Sequence, residues 1–262
     1  MSDTVHFSCH DLDVSVAGRK LVARLGLDIR GGELIAVLGR NGCGKSLTMH
    51  TLAGLRAAQT GAVRINDLDV HSLKRAMIAR RLALLPQHVD DVFPATVLET
   101  VMIGRHPHVG TMGWESAEDI QMARDALRSM DIAELSDRDV MTLSGGERRR
   151  LAIAQVLAQE PDLYLLDEPT NHLDPQHQLD TLRLFRERAD SGNAVVASLH
   201  DVNLAVRFAD RCLLLYGDGR WDIGSCSEVL TAARLSDLYA TPMEAIRWRD
   251  RELFVASGDE AL

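Results

Sequence analysis

A glycine-rich loop near residue 40 has the residue types and spacing that bind phosphate. It matches the pattern G-x-x-x-x-G-K-[ST] in full and comprises Gly39, Arg40, Asn41, Gly42, Cys43, Gly44, Lys45 and Ser46. Glycines let such a loop curl so that backbone N–H groups converge on phosphate oxygens, and the N-terminus of the following helix adds positive partial charge. In this pattern the lysine contacts the β- and γ-phosphates and the hydroxyl binds Mg²⁺. We therefore predict a nucleoside triphosphate site rather than a glycine-rich turn with a surface lysine.

Two carboxylates and a histidine follow other apolar runs. Asp167 and Glu168 come directly after Leu163–Leu166, and His200 comes directly after Ala194–Leu199. In an open α/β sheet, ligands bind at the carboxyl ends of the strands. We expect Asp167 to hold Mg²⁺, Glu168 to orient or deprotonate the attacking water, and His200 to contact the γ-phosphate. The alternatives are an exposed pair of loop acids and a structural histidine.

A third segment combines serine, glycine and glutamate at the start of a predicted helix. Within Leu143–Glu147, Ser144 and Glu147 have the spacing of a capping box around Gly145 and Gly146. The same geometry exposes backbone N–H groups to an anion. The basic run that follows, Arg148–Arg150, is interpreted as a solvated helix face rather than a nucleic-acid patch.

These residues require an α/β fold with a mostly parallel sheet. Leu34–Leu38, Leu163–Leu166 and Ala194–Leu199 are apolar at nearly every position, which is typical of strands buried on both faces. The first 80 or so residues favour further strands, among them Val14–Val16, Leu25–Ile29 and Ala62–Ile65. Helical spacing predominates over 96–160, a helix is expected over Lys45–Leu55, and hairpins are predicted at 212–223 and 245–256.

Composition limits the remaining possibilities. The chain has 262 residues, which suits one domain, and we divide it into a core (1–87 and 160–262) and an inserted helical subdomain (88–159). With 29 basic and 38 acidic residues the net charge is −9, which argues against general nucleic-acid binding. The longest apolar runs have about five residues, whereas a membrane span needs about 20. Neither a secretory signal nor a C-x-x-C pair is present, which indicates a reducing cytoplasm without zinc site or disulfide framework.

Cys43 has two possible interpretations, as a small filler residue or as a reactive thiol. A nearby helix N-terminus and Lys45 favour a thiolate. On the second interpretation, alkylation blocks nucleotide binding and ATP protects.

In order and spacing, the motifs resemble the ATP-binding subunit of ABC transporters. The resemblance covers roughly residues 5–255 and rests on six features: Gly39–Ser46, Gln87, Leu143–Glu147, Asp167–Glu168, Asn171–Asp174 and His200. It implies the P-loop ATPase fold of the cassette, with an antiparallel β region before the parallel core. It also implies a head-to-tail dimer with itself that encloses two ATP molecules, each between the phosphate loop of one copy and Ser144–Gly146 of the other. Gln87 would contact Mg²⁺, and Asp174 would connect the two sites.

Further segments resemble the branch that imports iron-siderophores, haem and cobalamin. They are Leu84–His88, Thr96–Pro107, Glu168–Asp174 and the tail from Val229. The resemblance implies transport-coupled ATP hydrolysis at the cytoplasmic face of the cell membrane, with an integral membrane permease and, indirectly, a substrate-binding protein as partners. The alternatives are a non-transport ABC ATPase acting on DNA or ribosomes, the ATPase of an exporter, and an inactive binding module.

Three positions bear on how this chain would differ from the family or meet its partners. Val16 stands where relatives usually place an aromatic residue against adenine, which leaves the choice between ATP and GTP open. Leu47 replaces a common threonine, a loss of about one hydrogen bond or roughly 0.5–1.5 kcal/mol. Val92–Pro94 is an apolar stretch in a predicted loop and a candidate anchor for the permease; the alternative is packing within the helical subdomain.

Overall fold

The strands and helices follow the order that the apolar runs predict. A computed structural model describes residues 6–88, 94–109, 113–249 and 251–257. In this part of the chain the strands are β1 (His6–Val16), β2 (Arg19–Arg30), β3 (Leu34–Leu38), β4 (Ala62–Ile65), β5 (Leu68–Asp69), β6 (Leu82–Leu85), β7 (Leu163–Leu166), β8 (Ala194–Ser198), β9 (Arg211–Leu215), β10 (Trp221–Ser225), β11 (Met243–Trp248) and β12 (Arg251–Ala256). The helices are α1 (Lys45–Leu52), α2 (Arg75–Ala79), α3 (Val97–Met102), α4 (Ala117–Ser129), α5 (Gly145–Ala158), α6 (Pro175–Asp190), α7 (Val202–Phe208), α8 (Cys226–Val229) and α9 (Ala232–Tyr239).

The central sheet is mostly parallel. Its strands lie in the order β10-β9-β3-β8-β7-β6, and β10 alone runs antiparallel to its neighbour. Alternate residues of β3 enter two different apolar cores, with Leu34, Ala36 and Leu38 on one face and Ile35 and Val37 on the other. Burial on both faces explains why these strands lack polar alternation. The α/β class is confirmed.

A second, antiparallel sheet covers one face of the central sheet. Its strands lie in the order β2-β1-β4-β5. Phe7 and Leu25 from this layer, Met49 of α1 and Val37 of β3 belong to one apolar core. The helix that follows the phosphate loop is therefore held between the two sheets.

The helices α3, α4 and α5 pack on one another and share the core on the opposite face of the central sheet. A capping box fixes the start of each, at Thr96, Ser116 and Ser144. Arg105 lies at the centre of this group and is only 5% exposed. Its Nε donates to Asp119 Oδ1 at 2.9 Å and its Nη1 donates to the Ala158 carbonyl at 2.7 Å, so it joins the first turn of α4 to the last turn of α5.

Three expectations from the sequence need correction. Helix α1 ends at Leu52 rather than Leu55, because Gly54 turns the chain with φ +66°. The stretch 96–160 is less uniformly helical than expected, since it contains 3₁₀ turns at Ile103–Arg105, Ala133–Leu135 and Val140–Thr142. Arg149 is 5% exposed, so the solvated-face interpretation of the basic run is wrong for this residue.

Two further observations concern the membrane and the cysteines. None of the helices described in the structure has the length and hydropathy of a membrane span. Although the sequence has no paired cysteine motif, the fold brings Cys212 Sγ to 3.2 Å from Cys226 Sγ. Within the apolar stretch 92–94, Val92 and Phe93 lie outside the described residues, and Pro94 is exposed.

Candidate functional site

Four of the sequence-predicted groups lie at one edge of the central sheet. The phosphate loop follows β3, Gln87 lies two residues beyond β6, Asp167 and Glu168 follow β7, and His200 lies two residues beyond β8. These four strands are parallel and adjacent, so their carboxyl ends meet at the same edge. The topology therefore brings together groups that are more than 100 residues apart in the sequence.

The phosphate loop curls around its own lysine. Lys45 is 5% exposed, and its Nζ donates to the carbonyls of Gly39 at 2.9 Å and Arg40 at 3.4 Å. Gly39 has φ +155°, and a Cβ at this position would lie 2.5 Å from the Leu215 carbonyl oxygen. Gly44, with φ +108°, precedes the first residue of α1. The loop shape thus depends on two glycines and one ammonium group.

The surroundings of Cys43 argue against a reactive thiol. The residue is 4% exposed, and burial raises the pKa of its thiol more than the charge of Lys45 lowers it. The structure therefore favours the interpretation of Cys43 as a small filler residue, because desolvation outweighs the nearby positive charge. A Cβ on Gly39 would lie 2.6 Å from Cys43 Sγ, so the side chain fills the space beneath the loop.

The acidic pair is held by a serine of the neighbouring strand. Ser198 Oγ donates to Asp167 Oδ1 at 2.6 Å and accepts from the backbone N–H of Glu168 at 2.8 Å. Asp167 is completely buried, and its Oδ2 has no hydrogen-bond partner among the described residues. A buried carboxylate oxygen without a donor is a candidate ligand for a cation or an ordered water.

Glu168 is the centre of a polar cluster. Its carboxylate is 2.7 Å from His200 Nε2 through Oε1, accepts from Gln87 Nε2 at 2.8 Å through Oε2, and also accepts from Asn171 Nδ2. The side chain is 4% exposed, whereas that of His200 is 45% exposed. The backbone of Glu168 has φ +51°, in the left-handed region. Such a conformation costs about 1–3 kcal/mol and concentrates at functional sites.

A cavity of about 280 Å³ lies between the phosphate loop, Gln87 and Glu168. It is lined by Val16, Leu21, Asn41, Gly42, Gly44, Lys45, Ser46, Leu47, Gln87 and Glu168. Both positions singled out as departures, Val16 and Leu47, therefore face the candidate ligand. The volume of the cavity is close to the lower end of the range for ordinary ligand sites, about 300 Å³.

Ser144 and Glu147 form the capping box that their spacing predicts. Ser144 Oγ accepts from the Glu147 N–H at 3.3 Å, and Glu147 Oε2 accepts from the Ser144 N–H at 2.7 Å. The Ser144 N–H, followed by the Ser144 side chain, holds the pKa of the Glu147 carboxyl below its usual range. Ser144 and Gly145 are exposed. Among the described residues that line the phosphate-loop cavity, none belongs to Ser144–Gly146. Gly145 instead lines a second cavity, of about 390 Å³.

Asp174 caps α6 and does not line the phosphate-loop cavity. Its Oδ1 accepts from the His177 N–H at 3.0 Å, and its Oδ2 is 2.6 Å from His177 Nδ1. The backbone bond from His177 is the main cause that lowers the pKa of Asp174. Its side chain is exposed, so it is available to a second molecule.

Sequence reasoning missed two residues that hold the acidic pair. Ser198 could have been found, since it is a polar residue at the end of an apolar strand, two positions before His200. Arg149 had no such signal. Its burial depends on how α5 packs against the ends of β6 and β7, where its guanidinium donates to the Asp167 and Glu168 carbonyls.

Comparison with known proteins agrees with this geometry. Residues 22–171 match the family model described as ABC transporter. The chain belongs to the ABC transporter family. The match includes the phosphate loop, Gln87, the Ser144 helix cap and the acidic pair.

Related ABC proteins are import subunits. A cobalamin import ATP-binding protein of Halobacterium salinarum is 41% identical over 222 residues, which is 84% of this chain and 55% of the relative; the chain thus spans about half the length of that protein. A hemin import ATP-binding protein of Streptomyces coelicolor is 41% identical over 233 residues, 89% of this chain and 82% of the relative.

The fold is also found in a solved transporter. A metal-chelate type ABC transporter in an inward-facing conformation superposes with a TM-score of 0.83 at 29% identity, over 97% of this chain and 98% of the other. The ABC ATPase fold is therefore confirmed.

Proposed function

We propose that this chain binds and hydrolyses ATP to power import of a metal-chelate or cobalamin-type substrate through a separate membrane permease. The observation that carries the proposal is the single cavity that Lys45, Ser46, Gln87 and Glu168 line together. The import subunits among the relatives support the transport role and the class of substrate.

Phosphate binding falls to the loop 39–46. Its glycines leave backbone N–H groups free of side-chain obstruction, and the N-terminus of α1 adds positive partial charge. Lys45 already donates to Gly39 and Arg40 carbonyls, so the loop keeps its curl before a ligand arrives. A preshaped loop loses little entropy on binding. Lys45 then neutralises charge on the β- and γ-phosphates.

Glu168 is proposed as the general base. A carboxylate that accepts from Gln87 and Asn171 and contacts His200 has a fixed orientation. The attacking water would donate a hydrogen bond to this carboxylate and transfer its proton there as the phosphorus–oxygen bond forms. Because His200 is only partly buried, its ring can reach the γ-phosphate from the same side.

The residues fit a magnesium ion. Asp167 Oδ2 is a buried oxygen without a hydrogen-bond donor, and Ser46 and Gln87 add neutral oxygen atoms at the phosphate-loop cavity. Oxygen ligands of this kind suit Mg²⁺, which also keeps several waters. When bound, Mg²⁺ would offset phosphate charge. Ser198 would hold Asp167 in place for this purpose through the other carboxylate oxygen.

A second copy of the chain would complete the site. The exposed start of α5 presents the N–H groups of a 14-residue helix, yet it does not line the cavity of its own chain. In a head-to-tail dimer, Ser144–Gly146 of one copy would cover the phosphates bound to the other, and Glu147 would keep the helix start fixed. Asp174, exposed at the start of α6, would contact the partner copy near this interface.

The membrane partner would be a permease that binds the chain at the cytoplasmic face of the membrane. We assign the ATP-binding core to residues 1–87 and 160–262 and the permease-contacting helical subdomain to 88–159. The net charge of −9 gives no support to nucleic acid as an alternative partner.

Glu168→Gln tests the proposal. We expect this variant to bind ATP, to form a dimer that persists, and to release phosphate far more slowly than the wild type, because the amide cannot accept the water proton. Phosphate release and size-exclusion chromatography with light scattering measure the two effects. Glu187→Gln, an exposed change on α6, is the matched control. Wild-type turnover in Glu168→Gln would remove Glu168 as the base, and no ATP hydrolysis by the wild-type chain would refute the function. Co-purification of a hydrophobic membrane subunit tests the transport role.

A further inference from the structure

Arg149 is a buried cation whose partners are all carbonyls. It lies in the second turn of α5 and is 5% exposed. Of the ion pairs between residues that the structure describes, none includes Arg149. A guanidinium carries five N–H donors and loses most of its hydration when it is buried, so it must find protein acceptors.

The acceptors belong to the two segments that supply the catalytic groups. Nη1 donates to the Pro86 carbonyl at 2.7 Å and the Gln87 carbonyl at 3.4 Å. Nη2 donates to the Asp167 carbonyl at 2.6 Å and to the Glu168 carbonyl at 2.8 Å. Nε donates to the Pro169 carbonyl at 3.4 Å. One side chain thereby joins the end of β6 to the end of β7.

The bonds from Arg149 hold the backbone of Glu168 in a strained conformation. Glu168 has φ +51°, and such residues keep their conformation only where surrounding contacts fix them. Arg149 bonds the carbonyls on both sides of the Glu168 Cα, while Ser198 bonds the Glu168 N–H. Burial lowers the pKa of Arg149 to about 10, so the guanidinium stays charged at neutral pH.

Helix α5 begins at Ser144–Gly146, the residues that we propose cover the ATP bound to the other copy. Ser144 and Arg149 are five positions apart, about 7.5 Å along a helix axis. A shift of the helix start would therefore move the carbonyls that Arg149 holds. On the basis of the proposed function, we propose that Arg149 is a positioning residue that couples the start of α5 to the placement of Gln87 and Glu168.

Arg150 offers a matched control. It is the next residue of α5, and its Nη1 donates to the carbonyls of Met130 and Asp131, at 3.2 Å and 2.8 Å, away from the acidic pair. Arg149→Gln and Arg150→Gln each remove one positive charge and bonds to carbonyls from the same helix, five such bonds at Arg149 and two at Arg150 among the described residues. Only the first removes contacts to Gln87 and Glu168.

We expect Arg149→Gln to lower kcat by about 100-fold, the loss that a small misplacement of reacting groups causes. The Kd for ATP should change less than about twofold, and the Hill coefficient for ATP should fall from near 2 towards 1. Arg150→Gln should keep all three values. Arg149→Lys keeps the charge and should recover part of kcat. A merely structural role would instead weaken binding, turnover and thermal stability together.

Hydrogen exchange tests the contact without ATP hydrolysis. In nucleotide-free protein, the amides of Gln87, His88, Asp167, Glu168, Thr170 and Asn171 should exchange about tenfold faster in Arg149→Gln than in the wild type, whereas Arg150→Gln should leave their exchange unchanged. Unaltered exchange in Arg149→Gln overturns the inference whatever the ATPase result. A folded Arg149→Gln or Arg149→Lys protein with the kcat and Hill coefficient of the wild type also overturns it. A wild-type chain without ATPase activity would refute the proposed function alone. If Arg149→Gln does not fold, Arg149→Lys gives the same comparison.

The thiol pair is an independent observation. Cys212 of β9 and Cys226 at the start of α8 are both free, with sulfur atoms 3.2 Å apart. Cys212 is completely buried, whereas Cys226 is half-buried. A disulfide needs the sulfur atoms to close to about 2.05 Å, so a movement of about 1 Å suffices.

The two thiols differ in their environment. Either sulfur can donate in their mutual contact, and Cys226 Sγ also donates to the Ala209 carbonyl at 3.2 Å, while Cys212 is completely buried. The thiolate is the nucleophile in sulfur chemistry. Cys226 is the more exposed of the two, so it is the sulfur that an oxidant in solution reaches first, and Cys212 lies close enough to resolve the product.

The geometry points to a reversible disulfide between Cys212 and Cys226, formed with hydrogen peroxide as the oxidant. The Cys226 thiolate attacks one peroxide oxygen; an S–O bond forms, the O–O bond breaks, and the hydroxide that leaves takes a proton to become water. Cys212 sulfur then attacks the sulfenic sulfur; an S–S bond forms, the S–O bond breaks, and hydroxide leaves with the Cys212 proton as a second water. The two sulfurs together lose two electrons, and the peroxide gains them.

Mass spectrometry of the full chain tests the disulfide. After peroxide treatment and denaturing alkylation, we expect a crosslink between the peptides of Cys212 and Cys226 that dithiothreitol reverses. Cys9 and Cys43, both buried, should stay alkylatable and serve as internal controls. In Cys212→Ala, dimedone should trap a sulfenic acid on Cys226. No crosslink, or oxidation of Cys9 and Cys43 at the same rate as Cys226, would overturn the assignment.

Discussion

At the level of single residues, Glu168 shows how many groups are needed to place one carboxylate. Ser198 fixes its N–H, Arg149 its carbonyl, and Gln87, Asn171 and His200 its side chain. The left-handed backbone conformation is maintained because Ser198 and Arg149, both buried, bond the N–H and the carbonyl of Glu168. Replacing any one of them should alter turnover more than ATP affinity, since the phosphate loop is held separately.

Val16 is a position at which an aromatic substitution should increase the affinity for nucleotide. It is 45% exposed at the rim of the phosphate-loop cavity. We expect Val16→Tyr to add about 1–3 kcal/mol of base stacking, which tightens the Kd roughly 5- to 150-fold for ATP and GTP alike, since every base has a π-face. Titration with fluorescent ATP and GTP analogues measures this. Val16→Leu, which is apolar but has no ring, should remain near wild type, and equal affinities for the tyrosine and leucine variants would contradict the stacking role.

Cys43 should be the slower of two thiols to react. Burial raises its pKa, so at pH 8 its thiolate fraction is below that of an exposed cysteine, whereas the pKa of Cys226 is lowered. In folded protein we expect iodoacetamide to label Cys226 well before Cys43, with the Cys43 rate rising only at higher pH. Peptide mass spectrometry over time gives both rates. Labelling of Cys43 as fast as Cys226 would show that the loop opens readily.

At the level of elements, the start of α5 has a structural and a binding use at once. The capping box pairs the N–H groups of Ser144 and Glu147, and the two glycines between them keep side chains away from the helix start. An anion would approach a helix end that is already ordered. For that reason the structural interpretation of this motif does not compete with the functional one.

Helix α4 provides a pH-dependent test of packing. The Ser116 hydroxyl and N–H, followed by Arg105, lower the pKa of Asp119 from 3.8 to about 2. A lowered pKa means that the folded state favours the carboxylate, so its contribution to stability is present above pH 3.8 and is lost as the pH falls through about 2. Asp119→Asn should therefore be less stable than wild type at neutral pH, with the difference shrinking towards pH 2. Urea unfolding across this range measures it. Glu118→Gln, one residue earlier and exposed, should show no such convergence.

The elements were predictable where local pattern decides them, and not where tertiary contact does. β3, β7 and β8 were correctly predicted because burial on both faces leaves an apolar run in the sequence. The fate of Arg149 was predicted wrongly because arginine on a helix is usually solvated, and only the packing of α5 against two strand ends buries it. The Cys212–Cys226 contact was missed for a similar reason, since the hairpin β9–β10 and the turn into α8 bring the two residues together.

At the level of the whole molecule, the parallel sheet brings the candidate site residues to one edge, and an apolar core packs on each of its faces. The candidate catalytic groups could be predicted from motifs alone, and the sheet order explains why they converge. The order β3-β8-β7-β6 could not be derived from the sequence, because strand neighbours are set by packing of helices that the motifs do not specify. The local basic site is also compatible with a net charge of −9.

Ligand binding should stabilise the entire chain. At an ATP concentration 100 times the Kd, linkage predicts about 2.7 kcal/mol of added stability. For a chain of this size that corresponds to a rise in Tm of roughly 5–10 °C. Lys45→Ala should remove this increment, because the ammonium that neutralises phosphate charge is absent. Differential scanning fluorimetry with and without Mg-ATP compares the increments, and an undiminished shift in the variant would show that Lys45 does not contact the nucleotide.

The separation of the phosphate-loop cavity from the exposed start of α5 has a genetic consequence. If each ATP site takes one half from each copy, a chain damaged at Lys45 and a chain damaged at Ser144 are defective in different halves. In a mixed dimer both defects fall on the same site, and the other site is built from two undamaged halves. Two inactive proteins should therefore regain activity on mixing, whereas two different loop variants should not. Complementation of this kind would show that each ATP site is built from two copies of the chain, without a structure of the dimer.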